Sequence, residues 1–76
     1  MRVTCQSRIK KLRKQHNLSQ KGIAFILQNP PRTYSDYETG SSRVPLVVLI
    51  DLAKYYDVDL NYITGISNIR KEYPHA

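Results

Sequence analysis

Two consecutive prolines, Pro30 and Pro31, lie between two stretches of helical periodicity and determine where one helix ends and the next begins. Proline disfavours helical backbone in the residue before it, so Asn29 and Pro30 cannot continue the preceding helix. Proline is nevertheless favourable at the first position of a helix, where its missing N–H would be unpaired anyway. The sequence therefore predicts a tight break followed by a short helix that starts at Pro31.

The segments before this break have the spacing of two further helices. In the first, residues spaced by four, three and four positions share one helical stripe: Cys5, Ile9, Leu12 and His16. This helix is predicted to end near His16–Asn17, because Asn tolerates the left-handed conformation that closes a helix. Ser19 is then placed to cap the second helix. Gly22 stands where a capping box requires Glu or Gln, so we expect packing to hold this helix.

Two more helices are predicted on either side of residues 41–44. The helix that starts at Pro31 carries Tyr34 and Tyr37 inward, and Gly40 ends it. The next helix begins at or near Pro45. Its predicted core stripe consists of Leu46, Leu49, Leu52, Ala53 and Tyr56.

A last short helix completes the prediction. Asp59 is its expected N-cap, and it extends over Leu60–Thr64 until Gly65 closes it. No segment of the chain shows the apolar–polar alternation of a half-buried strand. The predicted fold class is therefore all-α, with five short helices.

Composition narrows the partners that such a chain can have. Its 76 residues have room for one domain, and twelve Lys and Arg against six Asp and Glu give a formal charge of +6. This surplus favours polyanions, either nucleic acid or an acidic membrane surface. Cys5 is the single cysteine, and the longest apolar stretch, residues 44–50, is far shorter than the roughly 20 residues of a membrane span. We expect a cytoplasmic protein in a reducing environment with no membrane association.

Catalysis finds little support in the sequence. The thiol and imidazole side chains, those of Cys5, His16 and His75, are widely separated in the chain. No nucleophile elbow or glycine-rich phosphate loop is present, and no paired ligands have the spacing of a metal site. We therefore expect no enzymatic activity, no cofactor, no metal and no small-molecule substrate.

Residues around the proline break form a recognisable pattern. Two short helices separated by a tight break make a helix-turn-helix, in which the small side chain of Ala24 permits close helix approach. The pattern comprises Leu18-Ser19-Gln20, Ile23-Ala24, Leu27 and residues 33–40, and continues without a gap through Pro45, Leu49, Leu52-Ala53-Lys54, Val58, Leu60 and Ile63-Thr64-Gly65. With this spacing of residues, the segment from about Arg8 to Gly65 resembles the Cro/C1-type (XRE, lambda-repressor-like) helix-turn-helix family.

The resemblance implies an architecture and a set of functional residues. It implies one five-helix domain over residues 1–66 with the helix-turn-helix at the second and third helices, followed by a short tail over 67–76. The helix over 31–38 would enter the DNA major groove. By resemblance, the positions directed at bases or phosphates are Gln20, Pro31, Arg32, Thr33, Asp36 and Arg43. Arg13 and Glu38 match a partly buried ion pair between the first and third helices.

The chemistry of these side chains suits most of the implied roles. Arg32 can donate two hydrogen bonds to guanine O6 and N7, and Thr33 suits a phosphate or a thymine methyl group. Gln20 adds a side-chain donor at a helix N-terminus. Asp36 has three open interpretations: acceptance from cytosine N4, orientation of Arg32 one turn away, or a solvated surface position.

Two positions depart from the family pattern. Position 28 is usually Gly in the left-handed conformation, but this chain has Gln28, and we expect Asn29 to adopt that conformation instead. Pro30 stands where a Ser or Thr cap is common. The turn is therefore expected to differ locally from the usual one.

We predict a small prokaryotic or phage-type transcriptional regulator, a repressor or activator that binds double-stranded DNA as a homodimer. The predicted dimer seam consists of Val47, Val48, Ile50, Tyr55, Tyr62, Ile66 and Ile69. The alternative is a helix-turn-helix adaptor or protein-interaction module, for example antitoxin-like, with little DNA binding of its own. Asp36 and the two prolines are the features that favour this alternative.

Overall fold

A computed structural model describes residues 4–74 of the chain, which form five α-helices and no strand. The helices are α1 (Cys5–Gln15), α2 (Gln20–Leu27), α3 (Pro31–Thr39), α4 (Leu46–Tyr56) and α5 (Leu60–Ile63). The all-α prediction and the helix-turn-helix arrangement of α2 and α3 are confirmed. His75 and residues 1–3 lie outside the described residues.

Local capping explains where most helices begin. Ser19 Oγ accepts a hydrogen bond from Gly22 N at 3.0 Å, and an Asp59 carboxylate oxygen accepts from Tyr62 N at 2.8 Å. Both side chains thereby satisfy a backbone donor that has no partner within its helix. At α1, Thr4 and Ser7 form a reciprocal capping box, a start signal that the sequence reading did not use.

Left-handed residues end the helices, and one of them differs from expectation. Gly40 has φ +84° and Asn17 has φ +56°, as their types favour. Between α2 and α3, however, Gln28 itself adopts the left-handed conformation with φ +59°. Asn29 does not, which corrects the prediction. The Asn29 N–H instead donates to the Ala24 carbonyl at 2.9 Å, and Asn29 must remain extended before Pro30.

The core draws side chains from all five helices. Its largest fully buried side chains are those of Tyr34, Ile9, Leu12, Ile23, Leu52, Ile63 and Val58. Ala24 in α2 is also fully buried, and α2 packs against both α3 and α4. Burial of each large apolar side chain contributes about 1.5–3 kcal/mol to the folded state. This packing holds α2 and α3 together across their short break.

The buried face of α4 differs from the predicted stripe at two positions. Leu46 is 66% exposed, although it was predicted to be in the core, whereas Val48 is only 8% exposed. The buried positions are 48, 49, 52, 53 and 56, so the packed face is rotated towards Val48. Leu46 is the first residue of α4 and lies at the edge of that face. Tyr62 of the predicted seam is also buried, at 5% exposure.

The segment after α5 folds back on the helical body. The hydrogen bonds that attach it among residues 4–74 include Arg8 Nη2 to Asn68 Oδ1 at 3.0 Å, Arg70 Nη1 to Gln15 Oε1 at 3.1 Å, Asp59 N to Lys71 O at 2.9 Å and Tyr73 N to Asp57 Oδ1 at 3.3 Å. Tyr73 packs against the core from outside. Among residues 4–74, none of the helices combines the length and the apolar character that crossing a membrane requires.

Candidate nucleic-acid interface

An ion pair at the end of α3 connects three helices. Arg13 Nε lies 2.6 Å from Glu38 Oε2, and Arg13 Nη2 donates to Glu38 Oε1 at 3.1 Å. The same guanidinium donates through Nη1 to the Leu18 carbonyl at 2.7 Å, just before α2. Two parallel charge-assisted hydrogen bonds restrict both position and orientation. The ion pair therefore fixes the end of α3 relative to α1 and the start of α2.

The protonation of this pair follows from its surroundings. The side chains of Arg13 and Glu38 are only 10% and 2% exposed. Burial acts to raise the pKa of the Glu38 carboxyl, but hydrogen bonds from Arg13 and Gln20 and the Arg13 charge hold it below its ordinary value. The hydrogen bond to Glu38 raises the pKa of Arg13. Both groups are therefore charged near neutral pH.

Two tyrosine hydroxyls lie buried in the same region. Tyr56 Oη has no hydrogen-bond partner within the described residues, whereas the Tyr34 hydroxyl interacts with the Glu38 carboxylate. Burial raises the pKa of both phenols, so both remain neutral. An unsatisfied buried hydroxyl costs about 1–3 kcal/mol. Both rings are nevertheless packed: the Tyr56 centroid lies 4.8 Å from that of His16 at the C-terminal end of α1, and the Tyr34 centroid lies 6.4 Å from that of Tyr37.

Gln20 lies at the junction between this network and the surface. It is the first residue of α2 and is half-buried. Its Nε2 donates to Glu38 Oε1 at 3.2 Å, which braces α2 against α3. A side-chain amide nitrogen carries two hydrogens, so one N–H remains for another acceptor.

The N-terminal half of α3 places its predicted contact residues at the surface. Pro31 and Arg32 are exposed, and Thr33 and Asp36 are half-buried. Tyr34, Tyr37 and Glu38 occupy the other side of α3, against the body. Arg32 thus projects from a helix that is fixed along its opposite side.

The side chains of Asp36 and Arg32 form no ion pair among the described residues, so the structure gives no support to the interpretation in which Asp36 orients Arg32. The main-chain carbonyl of Asp36 instead accepts hydrogen bonds from Ser42 N at 3.2 Å and Thr39 Oγ1 at 3.3 Å. These bonds hold the loop after α3 close to its helix. Arg43 is exposed in that loop.

Cysteine and histidine take structural positions. Cys5 is half-buried, and burial raises the pKa of its thiol. His16 is at the C-cap of α1, where its Nδ1 lies 2.9 Å from the Leu12 carbonyl oxygen. Over residues 4–74, no group of three or more His, Cys, Asp or Glu side chains is arranged to hold a metal ion.

Two features of the structure, one on the surface and one buried, were missed by sequence reasoning. Residues 1–35 contain eight Lys and Arg and no acidic residue, so the charge surplus is concentrated in the part of the chain that includes α1 and α2. This signal was readable from the order of residues. Arg8, in contrast, is 5% exposed and lies 4.0 Å from the centroid of the Tyr62 ring. Nothing local to α1 predicts that contact with α5.

Comparison with known proteins agrees with this geometry. Residues 9–63 match the model of the helix-turn-helix family. The chain is 38% identical over 64 residues to the uncharacterized HTH-type transcriptional regulator YobD of Bacillus subtilis (strain 168). That alignment covers 84% of this chain but 56% of the relative's length. No solved structure matches the chain. The chain belongs to the Cro/C1-type helix-turn-helix family of transcriptional regulators, a family of DNA-binding proteins.

Proposed function

We propose that this protein is a transcriptional repressor that inserts α3 into the major groove and selects its site through Arg32 and Thr33. The observation that carries the proposal is the asymmetry of α3. Tyr34, Tyr37 and Glu38 hold one side of it against the body, while Arg32 on the other side is uncovered. A fixed helix with free side chains at its N-terminal end has the geometry of direct base readout.

Contacts to DNA phosphates from residues on both sides of α3 would fix the position of α3 along the major groove. Gln20 has one amide N–H free, and it lies at a helix N-terminus where unpaired backbone N–H groups favour an anion. Arg43 is exposed in the loop after α3. Contacts of this kind position the protein on DNA without reading sequence. Base selectivity therefore rests on Arg32 and Thr33, with Asp36 free to accept from cytosine N4.

Fluorescence anisotropy on labelled duplexes tests this proposal. The protein is first titrated onto a random duplex at several salt concentrations, and a selected operator is then compared with it. Log affinity should fall with log salt at a slope equivalent to three or more counterions per protomer. Arg32→Ala should cost about 1–3 kcal/mol on the operator and little on random DNA.

Arg43→Ala is the matched control because it removes an equal charge from the neighbouring loop. It should weaken binding to both duplexes alike and lower the salt slope by about 1. Equal losses on both duplexes for Arg32→Ala would contradict its base-reading role. No binding at low salt would refute the DNA proposal itself.

We also propose that the protein acts as a homodimer through α4 and the segment after α5. Large apolar side chains remain exposed there: Leu46 at 66%, Val47 at 64%, Tyr55 at 45%, Ile66 at 80% and Ile69 at 64%. A two-fold dimer would present two copies of α3 to half-sites about 34 Å apart. Sedimentation equilibrium tests this assembly, and a monomer at all accessible concentrations would contradict it.

An adaptor function is supported by one observation on α2. Phe25 is 84% exposed and Ile26 is 40% exposed, and exposed aromatic side chains commonly anchor protein partners. The anisotropy titration distinguishes the two functions. An adaptor without DNA binding would show no salt-dependent affinity for the duplexes. If the protein is instead a repressor, Phe25→Ser should leave its affinity for DNA unchanged.

A further inference from the structure

A second cationic surface lies on α1, away from the candidate interface. Lys10, Lys11 and Lys14 are all exposed, and Ser7 and Gln15 border them in a shallow surface depression. We refer to Lys10, Lys11 and Lys14 as the lysine face. The described part of α1 contains no acidic residue that could neutralise it. These lysines have no role in the ion pair, the core or the predicted DNA contacts.

The lysine face points away from the core and from α3. Lys10 and Lys14 are each two residues from Leu12, and Lys11 is two residues from Ile9. At about 100° per residue, this spacing places each lysine about 160° around the helix from a fully buried side chain. The buried side of α1 packs against α3 and α5. A straight duplex seated on the outer side of α3 therefore does not pass over the lysine face.

The like charges of this face oppose one another within the free protein. Lys10 and Lys14 are four residues apart, and Lys11 and Lys14 are three apart, so both pairs are neighbours on the helix surface. Like charges at these spacings destabilise a helix slightly. A bound polyanion would relieve that repulsion. The tail brings one more cation near, because Arg70 donates to Gln15 at the border of the face.

The composition of the face distinguishes between polyanions. Protein interfaces are depleted in lysine and depend on buried aromatic or apolar anchors. The depression is lined by the aliphatic stems and ammonium groups of the three lysines together with Ser7 and Gln15, and it holds no aromatic or branched apolar side chain that could act as an anchor. Phosphate backbones, in contrast, are bound by lysines as point charges without any such anchor.

We propose that the lysine face binds the phosphate backbone of a second DNA duplex, so that one protomer can hold two duplexes at once. The first duplex would lie on α3, so the bridging function rests on the proposed function. The body measures 31 × 29 × 23 Å. It therefore separates the two backbones by more than the screening length of about 8 Å at physiological salt, and their mutual repulsion is weak.

A two-duplex capture assay tests this inference. One random duplex is fixed to beads, the full chain is added at low salt, and retention of a second, fluorescent duplex is measured. The unmodified protein should retain the second duplex. Lys10→Gln/Lys14→Gln should reduce retention roughly tenfold or more and lower its salt slope by about 2, because two phosphate contacts are lost. Gln has nearly the helix propensity of Lys, so α1 should remain folded, which circular dichroism verifies.

Lys54→Gln/Lys71→Gln is the matched control, since it removes the same charge from exposed positions elsewhere. It should leave retention close to that of the unmodified protein. Equal losses in both double variants would show a net-charge effect and overturn the proposal. Unchanged retention in the lysine-face variant would also overturn it and assign bridging to the two α3 helices of a dimer. No retention by the unmodified protein overturns it as well.

Anisotropy on a single duplex keeps the two proposals separate. If α3 alone holds the first duplex, the lysine-face variant should retain the operator preference of the unmodified protein. Suppose that Arg32→Ala loses the preference for the operator over random DNA, and that the lysine-face variant retains the second duplex as well as the unmodified protein does. This combination would support the proposed function and overturn bridging.

Discussion

The region from α1 to α3 and the region from α4 to the tail bury similar side chains but expose very different ones. Residues 1–39, which include α1 to α3, have eight basic residues and two acidic ones, whereas residues 40–76 have four of each. The exposed apolar side chains are distributed in the opposite sense. Five of the seven lie in α4 or after α5: Leu46, Val47, Tyr55, Ile66 and Ile69.

This comparison separates two ways in which a small surface can recognise a partner. Charge acts at a distance, is weakened by salt and suits a polyanion. Exposed apolar surface acts on contact, is not screened by salt and suits a protein surface. On a body of 76 residues the two kinds of surface can coexist because they occupy different helices. Substitutions in one region should therefore leave the function of the other intact.

The largest expected effect is on the ion pair within the α1–α3 region. Glu38→Gln leaves the Arg13 guanidinium buried without its counter-charge, which should destabilise the fold by about 3 kcal/mol. Urea unfolding measures the loss. In the α4 region, Asp51→Asn removes a carboxylate from an exposed position and should change stability by less than about 0.5 kcal/mol. Similar losses of unfolding free energy in both variants would mean that the buried ion pair contributes no more to stability than an exposed carboxylate in the α4 region does.

The ion pair should also give the α1–α3 region an acid sensitivity. The pKa of Glu38 is lowered in the folded protein, so its contribution is complete above the unfolded-state value of 4.5. It is lost as pH falls through the lower folded-state pKa. Urea unfolding from pH 6 to pH 2 should therefore show a decline below 4.5 that is smaller in Glu38→Gln. An identical decline in both proteins would assign the acid sensitivity to other carboxylates.

A moderate effect is expected for the apolar region. Ile66→Gln should weaken dimerisation by about 2 kcal/mol or more, because full burial of one such side chain contributes roughly 1.5–3 kcal/mol. Sedimentation equilibrium measures the dissociation constant. The salt slope of binding to random DNA, counted per protomer, should remain unchanged. A changed slope would show that the two regions are coupled.

The smallest effect is expected at the turn between α2 and α3. Gln28 has φ +59°, which is costly for a residue with a Cβ, whereas Gly adopts it freely. Gln28→Gly should therefore stabilise the fold by about 0.5–1 kcal/mol in thermal unfolding. Asn29→Gly is the control and should not stabilise, because residue 29 has no positive φ. Equal stabilisation by both would place the strain of the turn elsewhere.

The helix boundaries were predictable because their causes lie within a few residues. Ser19, Pro31, Gly40 and Asp59 begin or end helices through a local hydrogen bond, a restricted φ or a left-handed conformation. None of these depends on a distant part of the chain. The family pattern also follows from spacing along the sequence, so the all-α fold and the position of α3 were evident before any contact was known.

The tertiary structure decided which side of each helix is covered and by what. Periodicity assigned Leu46 to the core, but in the structure the buried face of α4 includes Val48 instead. The apolar side chains of α4 cover more of its circumference than the neighbouring helices can bury, so the sequence pattern is compatible with several rotations of α4 about its axis. Arg8 is buried only because Tyr62 and Asn68, more than fifty residues away, come to lie beside it. Residues close together in the chain set the helices, their ends and the charge of each region. The contacts between helices, which involve residues far apart in the chain, determined which cation is buried in Arg13–Glu38 and which three remain exposed on α1.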